Sequence, residues 1–378
     1  MSWPMVNLSD VCEINIGKTP SRSNSRYWGK GHRWLSIADM NQGKWISNTK
    51  EQITDLAIKE SGIKKVPANT VLFSFKLSIG KVCLSETDIY TNEAIAALPI
   101  KNKNKLDTIY LSHVMKSLVF SDMTDNAVMG ATLNKKKLAT VRIPLPSIEE
   151  QKRIAAILDK ADGISKKREH AIKLVDDFLR STFLEMFGDP VKNPKGWRRM
   201  KFSAVGSLDR GKSKHRPRNA PELLGGIHPL IQTGDVANSG GYITEYFSTY
   251  SDIGLAQSKM WKKGTLCITI AANIAKTGIL TFDACFPDSV VGFHPNQHVE
   301  VEFIQHWLGF LQKQLEESAP EVAQKNINLA ILRDLDVIVP DKELQIKFKN
   351  VVKKVRKLKE RYYNVPNIQP VLSKFHLS

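Results

Sequence analysis

The sequence has few cysteines and no long apolar run. Its 378 residues include four cysteines, none of them spaced as a CxxC pair, so we expect free buried thiols and no metal site. No segment reaches the ~18–20 uninterrupted apolar residues that a membrane-spanning helix needs, so no membrane contact is expected. The first residues lack the basic and apolar regions of a signal peptide, which predicts a cytoplasmic protein.

Motifs of catalysis are missing as well. There is no GxGxxG after a strand, which argues against a dinucleotide or methyl-donor site of that type. The Asn/Asp-Pro-Pro-aromatic tetrapeptide with which amino-methyltransferases hold a flipped base is absent. No Ser/His/Asp arrangement and no nuclease-like group of carboxylates with a lysine can be recognised. We therefore predict no catalytic residues, in a protein that binds and positions.

Acidic residues are outnumbered. The chain has 55 Lys and Arg against 38 Asp and Glu, a formal net charge of +17. A cationic but otherwise ordinary surface is one explanation; a nucleic acid partner is the other, because each neutralised phosphate releases counterions. Clustering favours the second explanation. Residues 210–218 contain no acidic residue, and five basic residues alternate along them: Arg210, Lys212, Lys214, Arg216 and Arg218.

The chain is also nearly duplicated at an offset of 194 residues. The matching positions are Trp3 with Trp197, Gly17-Lys18-Thr19 with Gly211-Lys212-Ser213, Pro146 with Pro340, and Gln151 with Gln345. A repeat this long is not a solenoid, whose units are typically ~20–50 residues. It indicates two copies of one domain together with the helix that follows it. The basic segment also has a counterpart in the first copy, which carries Lys18, Arg22 and Arg26.

Each copy changes from a β-like pattern to a helical one. Short strands separated by turns, with a helix over 107–118, predict a mixed α+β domain. Residues 148–187 contain no proline, and their apolar side chains recur at steps of four and three, which predicts a long helix packed on another long helix. A second apolar row, seven residues apart, runs parallel to the first: Ile157, Ile164, Ala171 and Phe178. A similar pattern predicts a helix over 341–363.

The predicted fold is α+β, with two tandem pseudo-symmetric α+β domains separated by two long helices that form an antiparallel coiled coil. We place the first domain at 1–146, the first long helix at 147–190 and the second domain at 191–340. The second helix and the C-terminal tail occupy 341–378. Forty residues of helix would span ~60 Å, which suits a spacer.

Amide and basic residues in turns are the candidates for reading bases, since Asn and Gln can bond bidentately to adenine and Arg or Lys to guanine. The predicted DNA-contacting residues of the first copy are Lys18, Thr19, Arg22, Arg26, Asn41, Gln42, Lys44, Lys76 and Lys81. Those of the second copy are Lys212, Lys214, Arg216, Arg218, Asn238, Asn273 and Lys276. Each one, taken alone, is also explained as a turn residue or a phosphate contact.

Residues 206–213 match the P-loop pattern GxxxxGK[ST] formally. A P-loop must open a helix, whereas this segment runs into Pro217 and Pro221. The first copy keeps Gly17-Lys18-Thr19 but has Cys12 in place of the first glycine. A nucleic-acid-binding NTPase therefore stays the weaker alternative. A basic coiled-coil scaffold that binds DNA without sequence preference is another.

Three stretches resemble a known family. They are Ile143-Pro144-Leu145-Pro146-Ser147-Ile148-Glu149-Glu150-Gln151-Lys152-Arg153-Ile154, then Met186-Phe187-Gly188-Asp189-Pro190, and then Asn193-Pro194-Lys195-Gly196-Trp197. Together with the duplicated order of domain and helix, they resemble the specificity (S) subunits of type I restriction–modification systems over essentially the whole chain.

The resemblance implies two target-recognition domains, each reading one half of an asymmetric bipartite site in double-stranded DNA. The two helices would fix the gap between the half-sites and dock two modification (methyltransferase) subunits. Those partners would carry S-adenosylmethionine, and restriction (motor-nuclease) subunits would use ATP and Mg²⁺, so no cofactor is implied for this chain. The residues to which the resemblance points for docking are Pro146, Glu150, Gln151, Pro340 and Gln345. Residues 339–345 are a degraded form of the first copy's signature, so we expect docking to differ between the copies.

Overall fold

The structure is a computed structural model that describes residues 3–76, 78–120, 125–127, 130–271, 274–318 and 328–363. The described residues divide into two compact units, one up to Lys167 and one from Arg168 to the end of the described chain. The boundary falls inside a long helix, so each half of that helix belongs to a different unit.

The first unit mixes short helices with short strands. Its helices are α1 (Leu8–Val11), α2 (Asp55–Ser61), α3 (Thr108–Ser117), α4 (Lys135–Ala139) and the first half of α5 (Ile148–Phe187). Its strands are β1 (Met5–Asn7), β2 (Asn15–Ile16), β3 (Trp28–Leu35), β4 (Trp45–Ile46), β5 (Glu51–Ile53), β6 (Val71–Ser74), β7 (Val82–Ser85), β8 (Tyr90–Thr91), β9 (Ile95–Leu98), β10 (Asp125–Ala127), β11 (Gly130–Thr132) and β12 (Arg142–Pro144).

The strands of the first unit form a five-stranded sheet in the order β2-β9-β6-β7-β4 and a three-stranded sheet in the order β5-β3-β8. Two further pairs are β1-β12 and β10-β11. The main core lies between the five-stranded sheet, α3 and the start of α5, where Ile154, Ala155 and Leu158 are buried. The first turns of the long helix are therefore part of this domain's core.

The second unit repeats the plan. Its helices are the second half of α5, then α6 (Thr233–Ala237), α7 (Asp252–Ala256), α8 (Val301–Ser318), α9 (Leu329–Asp334) and α10 (Lys342–Tyr363). Its strands are β13 (Arg198–Lys201), β14 (Gly206–Arg210), β15 (Leu224–Leu230), β16 (Tyr242–Ile243), β17 (Ser248–Tyr250), β18 (Met260–Trp261), β19 (Leu266–Thr269), β20 (Thr277–Leu280), β21 (Ala284–Cys285), β22 (Val290–Pro295) and β23 (Asp336–Val339).

Strand order confirms the repeat that the sequence predicts. The second unit has a five-stranded sheet in the order β14-β22-β19-β20-β16 and a sheet in the order β17-β15-β21-β18. Each strand takes the place of its counterpart in the first unit, and β18 is added at one edge. Side-chain detail repeats too, since His32 bonds Asp55 at 2.7 Å and His228 bonds Asp252 at 2.8 Å. The α+β fold class and the tandem domains are therefore as predicted.

The ends of α5 coincide with those expected from the sequence. Ser147 caps its start, because the Ser147 Oγ accepts a hydrogen bond from the Glu150 N–H at 3.3 Å. The Glu150 carboxylate bonds Arg153 at 2.8 Å. Gly188 follows the last turn with φ +78, a conformation that glycine adopts without strain, and its N–H donates to the Leu184 carbonyl.

Within the second unit, α10 packs against the second half of α5. Phe348 contacts Phe183 and Phe187, with ring centroids 5.5 Å apart in both pairs, while Lys359 pairs with Asp176 further along. Because position rises along α10 as it falls along α5, these two segments run antiparallel. The closing helix is the shorter one, at 22 residues against 40.

The second apolar row of α5 departs from the expectation of helix packing. Ile157, Ile164 and Phe178 are 48%, 40% and 53% exposed, so no described residue covers them fully. The row that is buried is the other one, because Ile154 and Leu158 enter the first unit's core and Leu179 enters the second's. The sequence predicts a long helix packed on another long helix, and of its two apolar rows this one stays exposed among the described residues.

Candidate nucleic-acid interface

In both copies, the glycine of the Gly-Lys-[Ser/Thr] segment packs closely against the backbone of a neighbouring segment, so the segment is not a phosphate-binding loop. The Gly17 N–H donates to the Ile95 carbonyl at 3.1 Å, and the Gly211 N–H donates to the Val290 carbonyl at 2.9 Å. A Cβ at Gly17 would lie 2.2 Å from the carbonyl oxygens of Thr91 and Asn92. The P-loop alternative fails here, because residues 206–210 form β14, paired with β22 along its whole length. The described residues 211–220 that follow form no helix.

Lys18 and Thr19 find partners inside the first unit. The Lys18 ammonium donates to the Ser61 carbonyl at 2.6 Å, and the Thr19 hydroxyl bonds the Glu93 carboxylate. Lys18 remains exposed, so its ammonium can still turn towards a phosphate. Thr19 is committed to Glu93.

Arg22 is stacked and paired. Its guanidinium lies 3.8 Å from the Trp28 ring centroid and donates to both oxygens of Glu51, one of them at 2.9 Å. The bond from Arg22 holds the pKa of Glu51 below its usual range. Arg26 is exposed and makes no side-chain hydrogen bond or ion pair with any residue in the described ranges. Arg26 is therefore the cation of this loop that is best placed to meet a phosphate.

The turn after β3 brings three predicted residues together. The Lys81 ammonium donates to the Asn41 side-chain oxygen at 2.8 Å. The Gln42 amide donates to the buried Asp39 carboxylate and to the Asn48 carbonyl, both at 3.3 Å. Asp39 also accepts from the Lys50 N–H, so this carboxylate shapes the whole turn. The exposed side chains of Asn41 and Gln42 are thereby held at fixed places on the surface.

Lys44 differs from its neighbours because it is ion-paired to Asp159 on α5 and only 18% exposed. His113 on α3 bonds the same carboxylate at 2.7 Å. Burial would raise the pKa of Asp159, but hydrogen bonds from Lys44 and His113 hold it below its usual value. Burial also lowers the pKa of His113, so its ring is neutral near pH 7. Lys44 thus fastens the turn to the helix, and its direct contact with DNA stays a prediction. Lys76, also predicted, is half-buried, with its ammonium 5.5 Å from the Phe75 ring centroid.

The basic loop of the second unit contains two kinds of cation. Arg218 pairs with Asp288 at 2.6 Å, and Arg216 lies 3.7 Å from the same carboxylate while bonding the Ser213 carbonyl at 2.6 Å. Lys212 and Lys214 are exposed, and neither side chain has a hydrogen-bond or salt-bridge partner among the residues that the structure describes. The lysines are available to an anion, whereas the arginines hold the loop's shape.

Asn238 and Lys276 line one groove of about 890 Å³ in the second unit. Lys276 is exposed, and its ammonium lies 3.5 Å from the Gln312 side-chain oxygen. The other charged residues of the wall are Arg180, Arg356, Lys359, Asp176, Asp177, Asp235, Glu245 and Glu360. Lys359 with Asp176 and Arg356 with Glu360 form ion pairs, so the groove offers both donors and acceptors without a strong net sign. Asn273, the remaining predicted residue, lies outside the described residues.

The predicted docking residues are largely internal. Pro146, Gln151, Pro340 and Gln345 are buried, and both glutamines are fully so. Of the five, only Glu150 reaches the surface, where it pairs with Arg153 at 2.8 Å. These four residues are buried where each long helix joins its domain. Their role in docking stays a prediction.

Two aromatic residues near the predicted turns escaped sequence reasoning. Trp45, the first residue of β4, stands directly after Lys44 and is 42% exposed. Phe247 lines the groove of the second unit and is 81% exposed. Each occurs beside a turn with charged or amide residues, which was the available signal. Their pattern in the sequence is that of ordinary strand residues, so their exposure could not be predicted.

The four cysteines are free and buried, and burial raises the pKa of Cys12 and Cys83 to about 12. Among the described residues, no group of three or more His, Cys, Asp or Glu side chains could hold a metal ion. Within the same ranges, no helix is long and apolar enough to cross a membrane.

Comparison with known proteins supports the resemblance. The MjaIX type I restriction enzyme specificity subunit of Methanocaldococcus jannaschii is 27% identical over 242 residues, 58% of this chain and 54% of that protein. The putative MjaX specificity subunit of the same organism is 22% identical over 370 residues, 91% of this chain and 84% of that protein. The match to the first of these relatives thus spans about half of its length.

The fold has a counterpart among solved structures. The S subunit of a type I restriction–modification system from M. genitalium superposes with a TM-score of 0.60 at 14% identity, covering 99% of this chain and 93% of that one. The family described as "Type I restriction modification DNA specificity domain" matches residues 2–174 and 194–361. Because these two matches fall on the two copies of the repeat and cover most of the sequence, the chain belongs to the type I restriction–modification DNA specificity domain family.

Proposed function

We propose that this chain is the non-catalytic subunit that reads a bipartite DNA sequence for a type I restriction–modification complex. One observation carries the proposal. In each unit an exposed amide turn and a lysine that precedes the equivalent strand come together: Asn41 bonds Lys81 before β7, and Asn238 shares a groove with Lys276 before β20. The same strand order carries both pairs, which supports one reading surface in each unit.

Different polar and charged residues of each unit suit base reading and phosphate binding. Reading base edges needs both donors and acceptors, which the mixed groove of the second unit supplies. Phosphates need cations without competing acids, and the exposed Lys212 and Lys214 fit that role in the second unit, as Arg26 does in the first. Sequence-specific binding with a steep salt dependence is therefore expected.

The exposed apolar row of α5 suits a protein partner. Ile157 and Ile164 in the first unit, and Phe178 in the second, present apolar side chains on a helix whose other exposed residues are mostly charged. Exposed apolar clusters rimmed by polar residues mark protein interfaces. We assign this row to the modification subunits, which would bring the methyl donor that this chain has no motif to bind.

The proposal is tested by mapping methylated adenines genome-wide in source cells that carry the gene intact or deleted. One bipartite, asymmetric methylated motif should vanish on deletion and return when the gene is restored. If every methylated motif persisted after deletion, the proposal would fail. The non-specific scaffold would then be favoured by equal affinity of the purified chain for all duplexes.

A further inference from the structure

Gln151 and Gln345 hold the same position in their helices. Each is the fourth residue, since α5 begins at Ile148 and α10 at Lys342. Each is fully buried although glutamine is usually a surface residue. A polar side chain with no exposure has to be satisfied from within, and both are.

The two amides make the same three hydrogen bonds. The Gln151 Oε1 accepts from the Asp107 N–H at 2.9 Å, and its Nε2 donates to the carbonyls of Lys105 and Pro146, both at 2.9 Å. The Gln345 Oε1 accepts from the Glu300 N–H at 2.9 Å. Its Nε2 donates to the carbonyls of His298 at 3.0 Å and Pro340 at 2.8 Å.

The bonded groups belong to the two elements that meet at this point. Asp107 and Glu300 stand directly before α3 and α8, the main helices of the two domains, and the two prolines stand shortly before α5 and α10. Each glutamine therefore joins the start of a long helix to the start of its domain's main helix. We call this contact the amide joint.

Only an amide of this length fits the amide joint. Gln supplies two N–H donors and one acceptor, and both kinds are used here. Glu would set a carboxylate against two carbonyl oxygens, and Leu would leave three backbone groups without partners, an outcome that is costly for buried groups. The geometry of the amide joint is thus stricter than that of apolar packing, which tolerates sliding.

We propose that Gln151 and Gln345 are positioning residues that fix the direction in which each recognition domain leaves its long helix, and so set the permitted separation of the two half-sites. This rests on the proposed function. Because successive base pairs are ~3.4 Å apart, a small rotation at the joint would shift a reading turn by a comparable distance.

The two joints differ in reinforcement. In the second unit the Glu300 carboxylate accepts from Lys342 at 2.8 Å and from Lys349 at 2.7 Å, both on α10. Lys342 is one of the residues at which the second copy departs from the first copy's signature, where Ile148 stands. Among the described residues, no such ion pair reinforces the joint at Gln151, so we expect the first joint to be the more sensitive one.

The test uses the full chain assembled with its modification subunits. Gln151→Leu, Gln345→Leu and the matched surface controls Glu149→Gln and Glu343→Gln are compared for methylation of duplexes with the native half-site separation and with one base pair more or fewer. Both controls alter exposed residues of the same helical turns. We expect Gln151→Leu to lower the preference for native separation at least fivefold and Gln345→Leu about twofold. The base preference at each half-site should be unchanged in all variants, and both controls should keep the wild-type preference for the native separation.

A uniform loss of methylation at all three separations, or an unchanged preference, would overturn the inference. Should Gln151→Leu not fold, Gln345→Leu combined with Lys349→Met provides the same test in the reinforced joint, with the same fivefold expectation. Failure of the proposed function is distinguishable, because the wild-type complex would then methylate no bipartite duplex at all.

Discussion

Lys44, in the turn that carries Asn41 and Gln42, is ion-paired to Asp159 on the long helix α5. His113 on α3 bonds the same carboxylate, so one acidic side chain connects three elements of the first unit. The turn proposed to read bases is therefore not a free loop. Its position depends on Asp159, a residue 115 positions away from Lys44 in the sequence.

Asp159→Asn is expected to lower the free energy of unfolding by about 1–2 kcal/mol, because two hydrogen bonds to a charged acceptor are weakened. It should also weaken DNA binding at the half-site read by the first unit about three- to tenfold. Denaturant titration and duplex binding measure the two effects. The control is Asp162→Asn, whose partner Lys116 lies 3.6 Å away at the surface, where such pairs contribute ~0–1 kcal/mol. Equal effects of the two variants would contradict this account.

The repeated glycines give a second prediction. A Cβ at Gly211 would lie 2.2 Å from the Phe286 carbonyl oxygen and 2.4 Å from that of Pro287, so Gly211→Ala should destabilise by about 1–3 kcal/mol through overpacking. Gly163→Ala is the matched control, since this helical glycine has open space around its Cβ position, and it should stabilise by about 0.5–1 kcal/mol. Thermal unfolding of both variants tests the pair. If Gly211→Ala left the stability unchanged, the close approach at Gly211 would not be required for folding stability.

Acid should destabilise the protein before the carboxylates titrate. Burial lowers the pKa of His113, His294 and His306 below the ordinary value of 6.5. The unfolded chain therefore takes up protons first as the pH falls, and stability present above pH 6.5 is lost progressively below it. The melting temperature should drop between pH 7.5 and 5.5. His113→Gln should reduce that drop, whereas substitution of the exposed His170 should leave it unchanged; the reverse result would contradict the assignment.

Ile164→Asp tests the docking row on α5. Ile164 is 40% exposed, so the stability of the isolated chain should change little, while affinity for the modification subunit should fall at least tenfold. Titration calorimetry or quantitative co-purification measures this. Lys166→Asp, an exposed residue two positions along the same helix, provides the control. A similar loss in both variants would point to charge rather than to apolar contact.

The sequence pattern predicted those features that depend on interactions between residues close together in the chain. The bounds of α5 follow from the absence of proline, the Ser147 cap and Gly188, all of which act within one or two turns. The repeat predicted two copies of one strand order. The burial of Gln151 could not be predicted, because its partners Asp107 and Lys105 stand 44 and 46 residues away, and no local pattern shows that they meet.

The same reasoning separates the cations. Lys212 and Arg218 look alike in the sequence, yet Lys212 is free of ion pairs within the described chain while Arg218 is neutralised by Asp288, 70 residues away. Lys44 and Lys81 likewise look alike in the sequence, but Lys44 is ion-paired to Asp159 whereas Lys81 donates to the Asn41 side chain. Charge pattern could indicate the basic region. Which cation remains available depends on long-range packing.

The measurement that tests the account most directly is a methylated-adenine map of cells expressing Lys81→Ala or Lys276→Ala in place of the wild-type chain. Lys103→Ala and Lys263→Ala, exposed lysines without side-chain partners among the described residues, serve as controls. We predict that Lys81→Ala relaxes one half of the bipartite motif and Lys276→Ala relaxes the other, while both controls keep the motif intact. If either variant altered both halves equally, or neither altered any base, the claim that each unit reads its own half-site would be contradicted.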